Sequence, residues 1–204
     1  MSNDFDVKAR DWDKNKTHHE RSRAIAEAIL RSVPVNRKMS AMEYGAGTGL
    51  LSFFLKDKFH DITLMDSSLA MIRVIKAKII AEGATHMKVV HADLEKDDFK
   101  GSFDIIYNNM VLHHVIDIKG IINTFYSLLK PGGYIAIADL FSEDGSFHGA
   151  HFNGHKGFNT KELGSILKKA GFQNVKHHEC YIIKKLIDTG VTKEFPIFVM
   201  TALK

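Results

Sequence analysis

Three glycines alternate with other residues between a short apolar segment and an apolar segment of helical length, in the stretch MSAMEYGAGTGLLSFFL. Gly45, Gly47 and Gly49 allow unusual φ values and let a ligand approach backbone amides at a helix start. Their G-x-G-x-G spacing differs from the G-x-G-x-x-G of dinucleotide folds, where a pyrophosphate lies over a helix N-terminus. Glu43 repels phosphate and suits a ligand with a positive amino or sulfonium group. The alternative is a turn that only permits tight packing of a strand against a helix.

Acidic residues follow at the ends of two further predicted strands. Asp66 comes 21 residues after Gly45, where an acidic side chain in this kind of unit reaches the ribose hydroxyls of a bound nucleoside. Capping of the next helix is the alternative, although Ser67 and Ser68 can also do that. Asp93, in the segment HADLE, is placed to accept from an adenine amino group or is an acid of a surface loop.

The predicted elements place these residues at one edge of a parallel sheet. Apolar segments predict seven strands, at residues 39–44, 62–65, 87–91, 103–107, 134–138, 175–183 and 195–202. Helices are predicted between them, the first with a capping box at Thr17 and Glu20 and the fourth running through Leu129. Lys130 to Gly133 reads as a turn, and Asp188 to Gly190 as the loop of a closing hairpin. Alternating strands and helices indicate an α/β fold with helices on both faces, in which ligands bind at the carboxyl ends of the strands.

Length and composition narrow the class of protein. The 204 residues, 45% of them hydrophobic, fit one domain. The 28 Lys and Arg against 24 Asp and Glu give a net charge of +4 that is scattered, whereas a nucleic-acid surface needs clustered charge. The single Cys180 and the absence of a leader predict a cytoplasmic protein, and no apolar run has the roughly 20 residues of a membrane helix. We therefore expect no membrane insertion, and a nucleic acid partner is disfavoured.

Five motifs together resemble a known family. EYGAGTG, LMDSS, HADLE, FDIIYNNMVLHHV and LLKPGGYIAIAD occur in the order and at the intervals of class I S-adenosylmethionine-dependent methyltransferases. The resemblance is strongest to the small-molecule branch that includes the ubiquinone and menaquinone biosynthesis type. It covers residues 10–140 strongly and the tail weakly. It implies a Rossmann-like, doubly wound, seven-stranded sheet, mostly parallel with an antiparallel last strand, and one methyltransferase domain over 1–204.

The resemblance also implies a site for S-adenosyl-L-methionine and its product S-adenosyl-L-homocysteine. Glu43 and the glycine backbone would hold the amino-acid portion, and Asp66 would bind the ribose. The other residues that it assigns to the donor are Ser67 beside the base, Asp93 and the Leu94 amide at the adenine, Asn108 near the sulfonium, and Trp12 in a lid. The alternative for Trp12 is a structural role in which it anchors that lid to the core. We expect a lid over 1–35, a donor-binding core over 36–140, and an acceptor loop with a helix and hairpin over 141–204.

Histidines are the candidates for chemistry beyond donor binding. His113 and His114 follow the fourth strand, and one of them is a candidate general base or acceptor contact, with a structural role as the alternative. His148, His151 and His155 either line an acceptor pocket or belong to a flexible loop. We expect no metal there, because no carboxylate or thiol accompanies them at ligand-like spacing.

The sequence also bears on several other functions. A nicotinamide-dependent oxidoreductase is disfavoured by the glycine spacing and by Glu43. A non-catalytic module that binds the donor nucleoside stays open, because binding residues outnumber catalytic ones. NNMV is not the motif of enzymes that methylate exocyclic amines of bases, and arsenic-type methylation needs more cysteines than Cys180. The expected acceptor is a small molecule.

Overall fold

The computed structural model describes residue 9 and residues 11–149, 151–187 and 190–204. Within them the strands are β1 (Ser40–Tyr44), β2 (Asp61–Asp66), β3 (Met87–His91), β4 (Phe103–Asn109), β5 (Leu129–Leu140), β6 (Gln173–Leu186) and β7 (Thr192–Leu203). They form one sheet in the order β3-β2-β1-β4-β5-β7-β6. Neighbouring strands from β3 to β5 pair in parallel, and β7 runs antiparallel to both β5 and β6. The expected seven-stranded, mostly parallel sheet with an antiparallel last strand is confirmed.

The strand order reverses between β1 and β4. β1 continues through β2 toward one edge of the sheet, whereas β4 lies on its other side. A crevice opens outside the carboxyl ends of the strands at such a switch point, and ligands of doubly wound sheets bind there. The glycine loop follows β1 at this point.

In the described part of the chain, five α-helices cover the two faces of the sheet: α1 (Lys16–Ser32), α2 (Leu50–Leu55), α3 (Leu69–Glu82), α4 (Ile118–Leu128) and α5 (Thr160–Lys169). Buried apolar residues of α1, α2 and α3 form one core cluster with one face of the sheet, and those of α4 and α5 form a second cluster with the other face. Alternating strand residues supply both, as Ile105 and Tyr107 join the first and Ile106 the second. Among the described residues, no helix combines the length and apolar character needed to cross a bilayer.

Three local predictions were wrong in detail. α1 begins one residue before Thr17, because the side chain of Asn15 accepts the Thr17 amide at 2.9 Å and caps the helix. Leu129 is extended and not helical. The turn at 130–133 lies inside β5, where the pairing with β4 shifts register. The predicted loop at 188–190 falls mostly on residues outside those described.

Candidate functional site

The glycine loop packs closely against its neighbours at two positions and borders an open space at a third. All three glycines have positive φ, +66° at Gly45, +57° at Gly47 and +79° at Gly49. A Cβ at Gly45 would lie 2.5 Å from the Val111 methyl groups, and one at Gly49 would lie 2.8 Å from Leu64. At Gly47 a Cβ would meet no described atom within 4 Å. Gly45 and Gly49 therefore permit tight packing, while Gly47 borders the space available to a ligand.

Asp66 links β2 to the glycine loop. Its Oδ2 accepts a hydrogen bond from the Gly47 amide at 2.7 Å, and its Oδ1 accepts from the Ser68 amide at 2.8 Å. The cap of α3 is Ser68, whose hydroxyl accepts from the Met71 amide at 3.2 Å. The Asp66 carboxylate thus stands beside the open side of Gly47.

A shallow pocket lies at the carboxyl ends of β2 and β3. Ser67, His91, Asp93 and Lys96 contribute to its wall. Asp93 pairs with Lys96 at 2.6 Å and accepts from the Glu95 amide at 3.0 Å, while the Leu94 side chain is buried in the core. The predicted adenine residues therefore lie next to Ser67.

Glu43 is buried and bonded within the core. The Ser52 hydroxyl donates to its Oε2 at 2.5 Å, the Ser52 amide donates at 3.2 Å, and the Tyr107 hydroxyl lies 2.7 Å from the same Ser52 oxygen. Burial raises the pKa of Glu43 to about 8, and the nearby Asp66 adds to the rise. The carboxyl is therefore mainly protonated at neutral pH, and a cation bound close by would favour its ionised form.

Polar groups without partners lie at the carboxyl end of β4. Asn108 is fully buried, and among the described residues neither atom of its amide has a hydrogen-bond partner. The Asn109 amide donates to the Ser22 hydroxyl at 3.2 Å. Buried polar groups are rarely left unpaired, so this position suits a ligand.

Arg21, on α1, was not predicted from the sequence. Its side chain is buried, its Nε has no partner, and no described carboxylate lies within ion-pair distance of it. Burial lowers the pKa of Arg21 to about 10, with Tyr181 and Asp139 opposing that change. A buried cation without an ion pair is costly, so an anionic ligand would stabilise it. Helical spacing alone gives no signal for such a group.

The segment before α1 is fastened to the glycine loop. Asp13 accepts from the Thr48 hydroxyl at 2.5 Å and forms an ion pair with Lys78 of α3 at 2.8 Å. Trp12, half-buried, packs against the His18 ring at a centroid distance of 4.2 Å. These contacts place the predicted lid residue next to the site.

His113 and Asp139 form a buried pair. The His113 Nδ1 lies 2.6 Å from the Asp139 Oδ1, and the His113 amide donates to Oδ2 at 3.1 Å. This carboxylate orients the imidazole and leaves Nε2 for a proton or a ligand. Asp139 was missed in the sequence; its one signal is an acid that ends the apolar strand YIAIAD.

The three histidines of the loop, His148, His151 and His155, lie in different surroundings. The His148 ring lies 5.0 Å from the His113 ring and 5.3 Å from the His114 ring. The His155 amide donates to the His113 carbonyl at 2.8 Å, and its Nε2 lies 3.0 Å from the Val115 carbonyl oxygen. His151 is exposed. The structure therefore joins His148 to the histidines after β4 and not to His151 and His155.

Comparison with known proteins gives the family. Residues 17–177 match the family described as a methyltransferase domain. An uncharacterized methyltransferase of Schizosaccharomyces pombe is 28% identical over 158 residues, which are 68% of this chain and 55% of that protein. A malonyl-[acyl-carrier protein] O-methyltransferase of Enterobacter lignolyticus is 25% identical over 127 residues, 62% of this chain and 49% of that protein. The matches thus span about half the length of these relatives.

A solved structure agrees with the fold. The SAM-dependent methyltransferase of Aquifex aeolicus has a TM-score of 0.68 at 17% identity, with 97% of each chain covered. At this identity the likeness concerns the fold, and the family match carries the assignment. Because that match spans most of the chain, the protein belongs to the class I family of S-adenosylmethionine-dependent methyltransferases.

Proposed function

We propose that this domain transfers the methyl group of S-adenosylmethionine to a small-molecule acceptor. The hydrogen bond from the Gly47 amide to Asp66 carries the proposal. It brings the glycine loop after β1 and the acid at the end of β2 within 2.7 Å of each other at the switch point. One nucleoside can therefore contact both motifs.

The donor would lie across the carboxyl ends of β1, β2 and β4. Asp66 would accept from the ribose hydroxyls, and Ser67, Asp93 and the Leu94 amide would surround the adenine. The amino-acid portion would lie against the glycine loop, near Glu43 and the unpaired amide of Asn108. The positive charge of the donor would favour the ionised form of Glu43.

We propose Arg21 as the group that holds the donor's carboxylate. The buried guanidinium has no described ion-pair partner, and Ser22, its neighbour on α1, bonds to the Asn109 side chain at the end of β4. A carboxylate there would form a charge-assisted hydrogen bond and neutralise the buried cation. The segment with Trp12 and Asp13 would then close over the donor.

Methyl transfer is an in-line displacement at a carbon that the sulfonium already activates. The protein therefore mainly aligns the nucleophile with the methyl group, which is worth about 7–11 kcal/mol in well-oriented reactions. Where the acceptor must lose a proton, we propose the Nε2 of His113 as the base, oriented by Asp139, with His114 beside it as an acceptor contact.

The remaining assignments follow the same division of the chain. We propose a lid over 1–35, part of which lies outside the described residues, a donor core over 36–140 and an acceptor region over 141–204. We also propose a cytoplasmic location, which the single free thiol at Cys180 supports.

Calorimetric titration of the purified chain tests this function. We expect micromolar binding of S-adenosylmethionine and S-adenosylhomocysteine and none of NAD, followed by transfer of a labelled methyl group to a small-molecule fraction. Binding of NAD alone would overturn the proposal. Donor binding with no transfer to any acceptor fraction would favour the non-catalytic module.

A further inference from the structure

We propose that His113, His114 and His148 form a binding site for a divalent transition metal ion of the zinc type. One ring nitrogen from each lies within 4.8 Å of the others. In a tetrahedral site with Zn–N bonds of about 2.0–2.1 Å, ligand nitrogens stand about 3.3 Å apart. Metal binding therefore requires the three nitrogens to move closer together, and His148 is the exposed member of the three.

A buried carboxylate orients the first ligand. Asp139 holds the Nδ1 of His113 at 2.6 Å and accepts the amides of His113 and Leu140 at 3.1 and 2.8 Å. Both side chains of the pair are almost completely buried, with exposed fractions of 1% and 0%. The Nε2 of His113 is therefore the nitrogen that faces an ion. A carboxylate on the far nitrogen of a ligating histidine fixes its tautomer and raises its basicity.

The loop that carries His148 is held in place on both sides. Glu143 accepts from the amides of Gly145 and Phe147 at 2.8 and 3.1 Å, and Phe147 is buried. On the other side the Phe152 ring stacks on the His148 ring at 3.9 Å with an interplanar angle of 22°. His148 is thus directed toward the turn after β4 by packing and by loop hydrogen bonds.

The ligand set selects the metal. Three imidazoles without a thiolate suit zinc, copper, cobalt and nickel and not magnesium or calcium. Three protein ligands leave a fourth position for water or an acceptor oxygen, as in catalytic zinc sites. The site does not depend on donor binding, but it shares His113 with the proposed base. A bound ion takes Nε2, so the metal-loaded chain has no base at that atom.

Metal titration of the full chain tests the site. The protein is stripped with a chelator and titrated with Co²⁺, whose visible absorption reports tetrahedral nitrogen coordination, and then with Zn²⁺ in competition. We expect each chain to bind one Co²⁺ ion tightly. His114→Ala and His148→Ala should abolish the absorption, and Asp139→Asn should weaken binding by about 10–100-fold. His151→Ala, in the same loop but outside the cluster, is the matched control and should bind cobalt as the unaltered chain does.

Two results would overturn the site. Either the unaltered chain binds no cobalt, or His148→Ala binds it as tightly as His151→Ala does. Titration with S-adenosylhomocysteine separates this test from that of the proposed function, because the His148 variant should retain donor affinity. A failure of donor binding in all chains would contradict the methyltransferase proposal without affecting the metal result.

Discussion

The Nζ atom of Lys78 lies 2.8 Å from the carboxylate of Asp13, 65 residues away in the chain. The same ammonium donates to the Thr48 carbonyl at 3.0 Å and lies over the Phe53 ring. The pair therefore joins three parts of the site: the segment before α1, the glycine loop and α3. Opening of the proposed lid requires that it break.

Loss of this pair should accelerate donor exchange. Asp13→Asn keeps the size of the side chain and removes its charge. A partly exposed pair of this kind is worth up to about 1 kcal/mol, so S-adenosylhomocysteine should dissociate up to about fivefold faster. Stopped-flow displacement measures that rate. Lys14→Ala breaks an exposed ion pair with Asp11 in the same segment and should leave the dissociation rate unchanged. Equal acceleration by both variants would contradict a role of the Asp13–Lys78 pair in holding the lid closed.

Two ligands separate the roles of Asp66 and Arg21. Methylthioadenosine keeps the adenine and ribose of the donor and lacks its carboxylate. Asp66→Ala should weaken binding of both this compound and S-adenosylhomocysteine by about 1.5–3 kcal/mol, the range for hydrogen bonds to charged groups. Arg21→Ala should weaken only S-adenosylhomocysteine.

Calorimetry on folded variants measures both affinities. Arg31→Ala, at an exposed position of α1, is the control and should change neither. Unchanged donor affinity in the Asp66 variant would mean that the nucleoside is misplaced. If Arg21→Ala weakened the binding of both ligands equally, a contact between Arg21 and the donor's carboxylate would be excluded.

Alanine at Gly45 and alanine at Gly47 should affect stability and donor affinity differently. Both have positive φ, so each alanine carries a backbone cost of about 1–2 kcal/mol. Gly45→Ala also clashes with Val111, which adds about 1–3 kcal/mol of overpacking. Gly47→Ala places its methyl group in the open space. It should reduce the free energy of donor binding by more than it reduces the free energy of unfolding. Urea unfolding and donor titration of both variants give the comparison; equal loss of stability would show that Gly47 is packed as Gly45 is.

The buried Glu43 should make stability fall as pH rises. Its pKa is about 8 in the folded chain against 4.5 for the ordinary group. The folded state then holds a proton that the unfolded state has lost. The contribution is fully present below about 4.5 and disappears as pH rises to about 8.

Glu43→Gln removes that proton equilibrium and keeps the shape of the neutral side chain. Urea midpoints at acid and at mildly alkaline pH should differ less for the variant than for the unaltered chain. Parallel pH curves for the two proteins would show that Glu43 is ionised in the folded state.

A base at His113 predicts a loss of turnover with donor binding intact. For an acceptor that must lose a proton, His113→Ala should lower the rate by about 10²–10⁴-fold. Asp139→Asn should also lower it, because the imidazole would lose its orienting carboxylate. The rates are measured with chelator present, so that a bound ion does not interfere. His60→Ala, at an exposed histidine, is the control and should keep full turnover. Unchanged turnover in both the His113 and His114 variants would exclude a histidine base at this position.

The local pattern of the sequence was enough for a mainly parallel α/β sheet with helices on both faces. The antiparallel last strand and most of the donor-binding residues came from the resemblance of five motifs to a known family. Apolar strands alternate with amphipathic helices, so the parallel sheet follows, and the carboxyl ends of parallel strands meet at one edge. Gly47 lies in the turn after the first predicted strand and Asp66 ends the second, so their proximity could be predicted without coordinates. The helix boundaries did not follow from the pattern, since Asn15 and Thr17 are both good caps and only the local geometry selects between them.

The partners of individual side chains were decided by the tertiary structure. Asp139 is 26 residues from His113, and no periodicity relates a strand end to a turn on its neighbour. The raised pKa of Glu43 and the unpaired charge of Arg21 both come from burial, which depends on every element that packs around them. His148 was grouped with its loop neighbours from the sequence, whereas packing against Phe152 directs it to His113 and His114. Sequence therefore determined where chemistry can occur, and long-range packing determined which groups meet there.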